Sequence, residues 1–267
     1  MATSAETFHA LHRPGDLLIL PNAWDAGSAK VIEDAGAQAI ATTSGGVGWA
    51  LGYPDGNALP VQLLAALVKN ITNVIRVPLS VDVEGGYTNK PEAIAENLKP
   101  IIDAGAVGIN IEDGEGTPEL LAQKIEQARK LAEKLGVDLF INARTDVYLQ
   151  EIGSPESRPE ETIVRAEKYR NAGANGIFVP GLSESSDIKT VVSGVQMPVN
   201  LMAWPDLPSA SKLSKLGVQR LSAGVNISTA IWQHVSKLSK KFLKTGSSNV
   251  LFEENMPYSK LQKLFTR

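Results

Sequence analysis

The chain has 267 residues, 43% of them hydrophobic, and 26 basic side chains against 29 acidic ones leave a formal charge of -3. Length and apolar content suffice for a large buried core in one large domain or two small ones, while the near balance of charge provides no field to attract nucleic acid or an anionic membrane. The absence of cysteine excludes disulfides, thiolate metal sites and a cysteine nucleophile or acid; no apolar run is long enough to span a bilayer and the opening MATSAETFHALHRPGD lacks the basic-then-apolar order of a secretory signal, so a cytoplasmic location is expected.

The first predicted strand is LLILPNA, Leu17 to Ala23. A helix then ends in the phrase DAGAQAIATTS from Asp34, where glycine stops the helix and an apolar strand follows. The segment TTSGGVGWALGYPDG, Thr42 to Gly56, is rich in glycine, but its spacing is wrong for a dinucleotide fingerprint. Its glycines would instead let backbone N–H groups approach a small carboxylate, with the Ser44 hydroxyl as a further donor; the alternative is a flexible loop. Asp55 in YPDG fits a turn by composition.

The next strand, VPLSVDVE, carries Asp82 and Glu84 two residues apart, so alternation puts both carboxylates on one face. Either they cap the following turn, or a cation lies between them. The strand within DAGAVGINIED, from Asp103, ends at Glu112, with Asn110 as its same-face neighbour, and brings a third carboxylate to the same end of an adjacent strand. Three carboxylates with room for water suit Mg²⁺ or Mn²⁺, which prefer oxygen ligands. After the amphipathic TPELLAQKIEQARKLAEK, the looser phrase KLGVDLFINAR from Lys134 ends in Arg144. Arg144 reads either as the salt-bridge partner of the acidic ring or as a fork for an anionic substrate. Asp146 either orients that fork or begins the next loop.

NAGANGIFVPG from Asn171, MPVNLMA from Met197 and KLGVQRLSAG from Lys215 bring the strand count to eight. Eight strands alternating with helices over about 250 residues indicate a parallel (β/α)₈ TIM-type barrel, with a doubly wound open sheet as the competing fold. The barrel is expected to occupy residues 1–235. From Ser236 the pattern changes to a basic helix end, a Gly-Ser turn and a short amphipathic piece, a C-terminal helical extension over 236–267 that packs on the barrel or on a neighbouring subunit. His9, His12 and His234 are scattered and none ends a strand, so surface or helix-packing roles are expected of them.

In this order, TTSGG, YPDG, SVDVEGGY, NIEDGEG and NARTDVYL resemble the isocitrate lyase and phosphoenolpyruvate mutase superfamily, over about Pro21 to Gly224. The resemblance implies a (β/α)₈ barrel that binds Mg²⁺ and a small 2-oxo acid or its enolate. It implies a homotetramer, a dimer of dimers that exchange the last barrel helix. It makes Ser44, Gly45 and Gly46 the cradle of the substrate carboxylate and Asp82 the nearest metal ligand. Glu84 and Glu112 would reach the metal through water, Asp55 would lie near metal and substrate, and Arg144 would hold the oxo-acid oxygens. Three features depart from the family pattern. The lysine-cysteine-histidine loop of the lyases and the gating segment of the phosphonomutases are both missing after the strand ending in IED, where GEGTPELLAQK leads almost at once into a helix. A glutamate that some lyases carry near the sixth strand is replaced within FVPGLS, with Pro180 or Gly181 at the matching place. The expected function is that of a Mg²⁺-dependent lyase acting on a small 2-oxo carboxylic acid by C–C cleavage or decarboxylation. The alternatives are C–P chemistry on phosphoenolpyruvate or a phosphonate, and binding of a 2-oxo acid without turnover.

Overall fold

The computed structural model describes residues 2–266. Nine parallel strand segments form one sheet: β1 (Leu18–Leu20), β2 (Asn22–Ala23), β3 (Ile40–Thr42), β4 (Leu79–Asp82), β5 (Gly108–Glu112), β6 (Phe140–Arg144), β7 (Gly176–Phe178), β8 (Val199–Met202) and β9 (Arg220–Ser222). Their order is β1-β9-β8-β7-β6-β5-β4-β3-β2. β1 and β2 are a single strand interrupted at Pro21, which has no N–H for a ladder. The first part pairs with β9 and the second with β3, so the sheet returns to its starting strand and closes the (β/α)₈ barrel.

Alternation along each strand sorts side chains into two environments. Leu79, Val81, Ile109, Ile111 and Ile141 point outward and are buried with Leu98, Ile101, Leu121 and Ile125 of the surrounding helices. Inward-facing positions are polar: Ser80, Asn110, Asn142, Asn200 and Arg220 are all buried inside the barrel. Asn142 donates to Asn110 at 2.9 Å, and Arg220 reaches the same Asn110 oxygen at 3.3 Å. Burial pulls the Arg220 guanidinium down to about 9, with Asp82 partly opposing it.

An N-terminal helix, Ser4–Ala10, closes the barrel end opposite the C-terminal ends of the strands. Its Phe8 is fully buried among Leu18, Leu20, Ala39, Ala41 and Phe140. His12 stacks on Phe140 with ring centroids 4.1 Å apart, the helix-packing role expected of it. At the other end of the chain, the helix Asn226–Thr245 runs without a break through Ser236 and buries only Ser228. A turn at Ser248–Leu251 and a last helix, Tyr258–Phe265, follow. Among the described residues no helix is long and apolar enough to cross a membrane.

Candidate active site

The C-terminal ends of β4, β5 and β6 bring Asp82, Glu112 and Arg144 together. Register alone accomplishes this, because Asp82 lies opposite Asn110 and Glu112 lies opposite Arg144. Arg144 contacts Glu112 at 2.6 Å and donates to both oxygens of Asp146, at 2.6 and 3.0 Å. The salt-bridge reading of Arg144 therefore holds, and Asp146 orients its fork rather than merely beginning the next loop. Its guanidinium lies 5.9 Å from the centroid of the Phe178 ring, which provides an apolar floor from the next strand.

Asp113, also at a strand end, does not enter the site. Its carboxylate turns outward and accepts from Thr145 Oγ1 (2.9 Å), Asp146 N (2.9 Å), Arg165 Nη1 (2.9 Å) and Tyr169 Oη (2.6 Å). It thus fixes the loop that carries Asp146. Asp25 caps the helix Ala26–Asp34, accepting from Ser28 N at 2.6 Å.

Two expectations change in detail. Regular alternation stops at Asp82, so Glu84 does not share a strand face with it; Glu84 takes a left-handed conformation, φ 51°, in the turn leading to Gly85 and Gly86. Glu84 is nonetheless buried, and its N–H donates to Asp82 Oδ1 at 3.1 Å. The glycine-rich segment is not a loop at its start: Ser44–Leu51 is a helix whose N-cap, Thr43, makes no side-chain cap. Its first N–H groups are therefore left for an acceptor outside the helix, and the Ser44 N–H lies against the Asp82 carboxylate. The two glycines have separate reasons to be there. A Cβ on Gly45 would stand 3.1 Å from Asp55 Oδ2, and one on Gly46 would stand 2.8 Å from Thr43 Cγ2 and 3.1 Å from Ser228 Oγ.

Crowding sets the electrostatics. Burial raises Asp82, with Arg144 opposing and Asp55 adding to the rise. Burial likewise raises Glu84, against the Asn57 N–H and with help from Asp82 and Asp55. Glu112 is pushed up to about 8 by burial, although Arg144 pulls the other way. Burial works against the Arg144 charge, but Glu112, Asp146 and Asp82 outweigh it and raise the guanidinium above its ordinary range. Carboxylates crowded in this way are groups whose repulsion a bound cation would relieve. Among the described residues no three His, Asp or Glu side chains stand close enough to grip one ion alone. The oxygen donors of Asp82, Glu84 and Glu112 are nonetheless of the chemical kind a hard divalent cation takes.

A cavity of about 940 Å³ opens beside Glu112 and Asp146, between the turn after β4 and the loop after β5, within the range of small-molecule sites; Asp82, Glu84 and Arg144 are not among its lining residues. Asn57, Tyr87, Glu112, Lys124 and Asp146 line it. Asn57 and Lys124 carried no signal in the sequence: one lies in a turn-forming stretch and the other on an amphipathic helix. Both nevertheless bind the turn after β4, Lys124 through a 2.7 Å bond to the Gly85 carbonyl.

A model of the phosphoenolpyruvate phosphomutase family matches residues 8–243. An uncharacterised Mycobacterium tuberculosis protein is 37% identical over 227 residues, covering 82% of this chain and 81% of that protein. The oxaloacetate decarboxylase of Paraburkholderia xenovorans is 27% identical over 223 residues, 78% of this chain and 72% of its own. A crystal structure from Burkholderia cenocepacia, provisionally described as a phosphonomutase, superposes with a TM-score of 0.84 at 38% identity and covers 89% of this chain and 98% of that one. With the ordered motifs, the closed barrel and the acidic strand ends in place, this chain belongs to the phosphoenolpyruvate phosphomutase family, within the PEP mutase/isocitrate lyase superfamily of lyases and mutases.

Proposed function

We propose that the protein is a Mg²⁺- or Mn²⁺-dependent lyase that cleaves a C–C bond beside the carbonyl of a small 2-oxo carboxylic acid, by decarboxylation or retro-aldol scission. The observation that carries this reading is the Arg144 fork, oriented by Asp146 and paired to Glu112, close to Asp82, whose carboxylate takes the Ser44 N–H at the start of the helix Ser44–Leu51. Ser44, Gly45 and Gly46 would cradle the substrate carboxylate, the glycines through their N–H groups and Ser44 through its hydroxyl, and Arg144 would hold the oxo-acid oxygens. Asp82 would be the direct metal ligand, with Glu84 and Glu112 acting through water and Asp55 nearby. A divalent cation bound there supplies positive charge to the oxygen that gains electrons as the bond breaks. The open cavity and the lack of a cysteine acid favour decarboxylation, whose carbanion can take its proton from water.

Magnesium-dependent formation of pyruvate from a panel of 2-oxo dicarboxylates is expected, and Asp82→Ala should abolish it. Turnover at the wild-type rate in that variant would overturn the assignment. The family kinship also supports a second reading, C–P chemistry on phosphoenolpyruvate or a phosphonate with Asp55 near the phosphoryl group. Phosphorus NMR decides between them: phosphonopyruvate should stay unchanged while the keto acids turn over.

We further propose that the enzyme works in the cytoplasm as a homotetramer, a dimer of helix-swapped dimers. In the single chain Ile19, on the outer face of β1, is 57% exposed, and the helix Asn226–Thr245 leaves Ile231, Trp232 and Val235 exposed. A helix from a second copy would cover the first and bury the others.

A further inference from the structure

The turn after β4 gathers most of the unusual backbone in the molecule. Five non-glycine residues among those described have positive φ, and three of them meet here: Glu84 (51°), Tyr87 (59°) and Asn57 (60°). L-residues hold such conformations only where their surroundings enforce them. Enforcement comes from three side chains distant in sequence. Asn57 Oδ1 accepts from Gly85 N (3.1 Å) and Tyr87 N (3.3 Å), while its own N–H donates to the Glu84 carboxylate. Asn97 Nδ2 donates to the Gly86 carbonyl at 2.9 Å. Lys124 Nζ donates to the Gly85 carbonyl at 2.7 Å.

Lys124 is the least expected of the three. It sits in the helix Pro118–Leu135 and is only 4% exposed; burial works against its charge, the Glu112 carboxylate opposes that, and the acceptor of its hydrogen bond is the neutral Gly85 carbonyl. Burying an ammonium is costly, and a methionine would fill the same space. What the lysine adds is reach, a donor at the end of a four-carbon stem that spans from the outer helix layer to the turn.

We propose that Lys124 is a positioning residue of the active site: by holding the Gly85 carbonyl it fixes the left-handed turn, in which the Glu84 N–H meets the Asp82 carboxylate and the Glu84 carboxylate takes the Asn57 N–H, while Asn57 binds the same turn to the loop that carries Asp55. The two acid-bearing segments then behave as one unit. This rests on the assignment of Glu84 to the cation made above, and the test separates the two ideas. Full-length wild type, Lys124→Met and Lys124→Arg are compared by amide hydrogen exchange at Gly85 to Tyr87 and by Mn²⁺ titration followed by EPR. In Lys124→Met, exchange at these amides should quicken at least about tenfold and the Mn²⁺ Kd should rise about tenfold or more, as loss of a supporting group does; Lys124→Arg should restore both. Unchanged exchange and unchanged Kd in Lys124→Met overturn the proposal. If the wild type binds no Mn²⁺, the cation assignment of Glu84 falls while the exchange data still decide the clamp. If Lys124→Met does not fold, Asn57→Ala, altered at an exposed position, should show the same faster exchange, and failure to do so overturns the proposal equally.

Discussion

Glu112 stores much of the cost of assembling this site. Its folded value of about 8 lies far above the ordinary carboxylate value of 4.5, so between those limits the folded chain holds a proton that the unfolded chain has released. Stability must then fall as pH rises through that window, and the raised Asp82 and Glu84 act in the same direction. His12 acts oppositely: burial, then Arg220, lowers it from 6.5 to about 3, so stability falls as pH drops through that range. In chelator the urea midpoint should therefore peak at mildly acidic pH and decline toward about pH 9, and Glu112→Gln should flatten the alkaline decline. Parallel declines in both proteins would acquit Glu112. Arg144→Lys keeps a charge but loses the fork that Asp146 orients, so kcat/KM for the 2-oxo acid should drop by about 10²-fold, chiefly through KM. Steady-state kinetics at saturating metal will show this.

Among the elements, the repeated glycine phrases were the most legible. Gly36, Gly105, Gly136, Gly173 and Gly217 all adopt the left-handed conformation, with φ between 67° and 109°, which is why a single residue type marks each junction where a helix stops before a strand. Strand ends were legible for a related reason: parallel strands in register bring C-terminal residues to one rim, so Asp82, Glu112 and Arg144 were found from alternation alone. Alternation could not follow Glu84 into a left-handed turn. Nor could it find Lys124 or Asn57, whose contacts with the turn join segments 39 and 28 residues apart. The N-terminal helix gave no signal, because its seven residues carry little periodicity and its worth lies in one side chain. Phe8→Ala should cost about 3–5 kcal/mol in chemical denaturation. The catalytic rate per folded molecule should hardly change, since Phe8 plugs the end remote from Arg144.

For the molecule as a whole, the exposed stripe of Ile231, Trp232 and Val235 governs assembly in the proposed tetramer. Sedimentation should give a particle heavier than one chain, and Trp232→Asp should shift it toward the monomer with loss of thermal stability. A wild type that sediments as a single 28.5 kDa chain at micromolar concentration would overturn this arrangement. The seam at Pro21 bears on how the chain is made. β1 finds its partner only in Arg220–Ser222, about 200 residues downstream, while β2 is paired as soon as Ile40–Thr42 has formed. On the ribosome the nascent sheet should therefore grow strand by strand with both edges bare, and β1 should wait for its partner until β9 has emerged. Chains stalled before Leu221 should sit as open, chaperone-dependent sheets, and ring closure should be the last event of folding however early the first strand emerges.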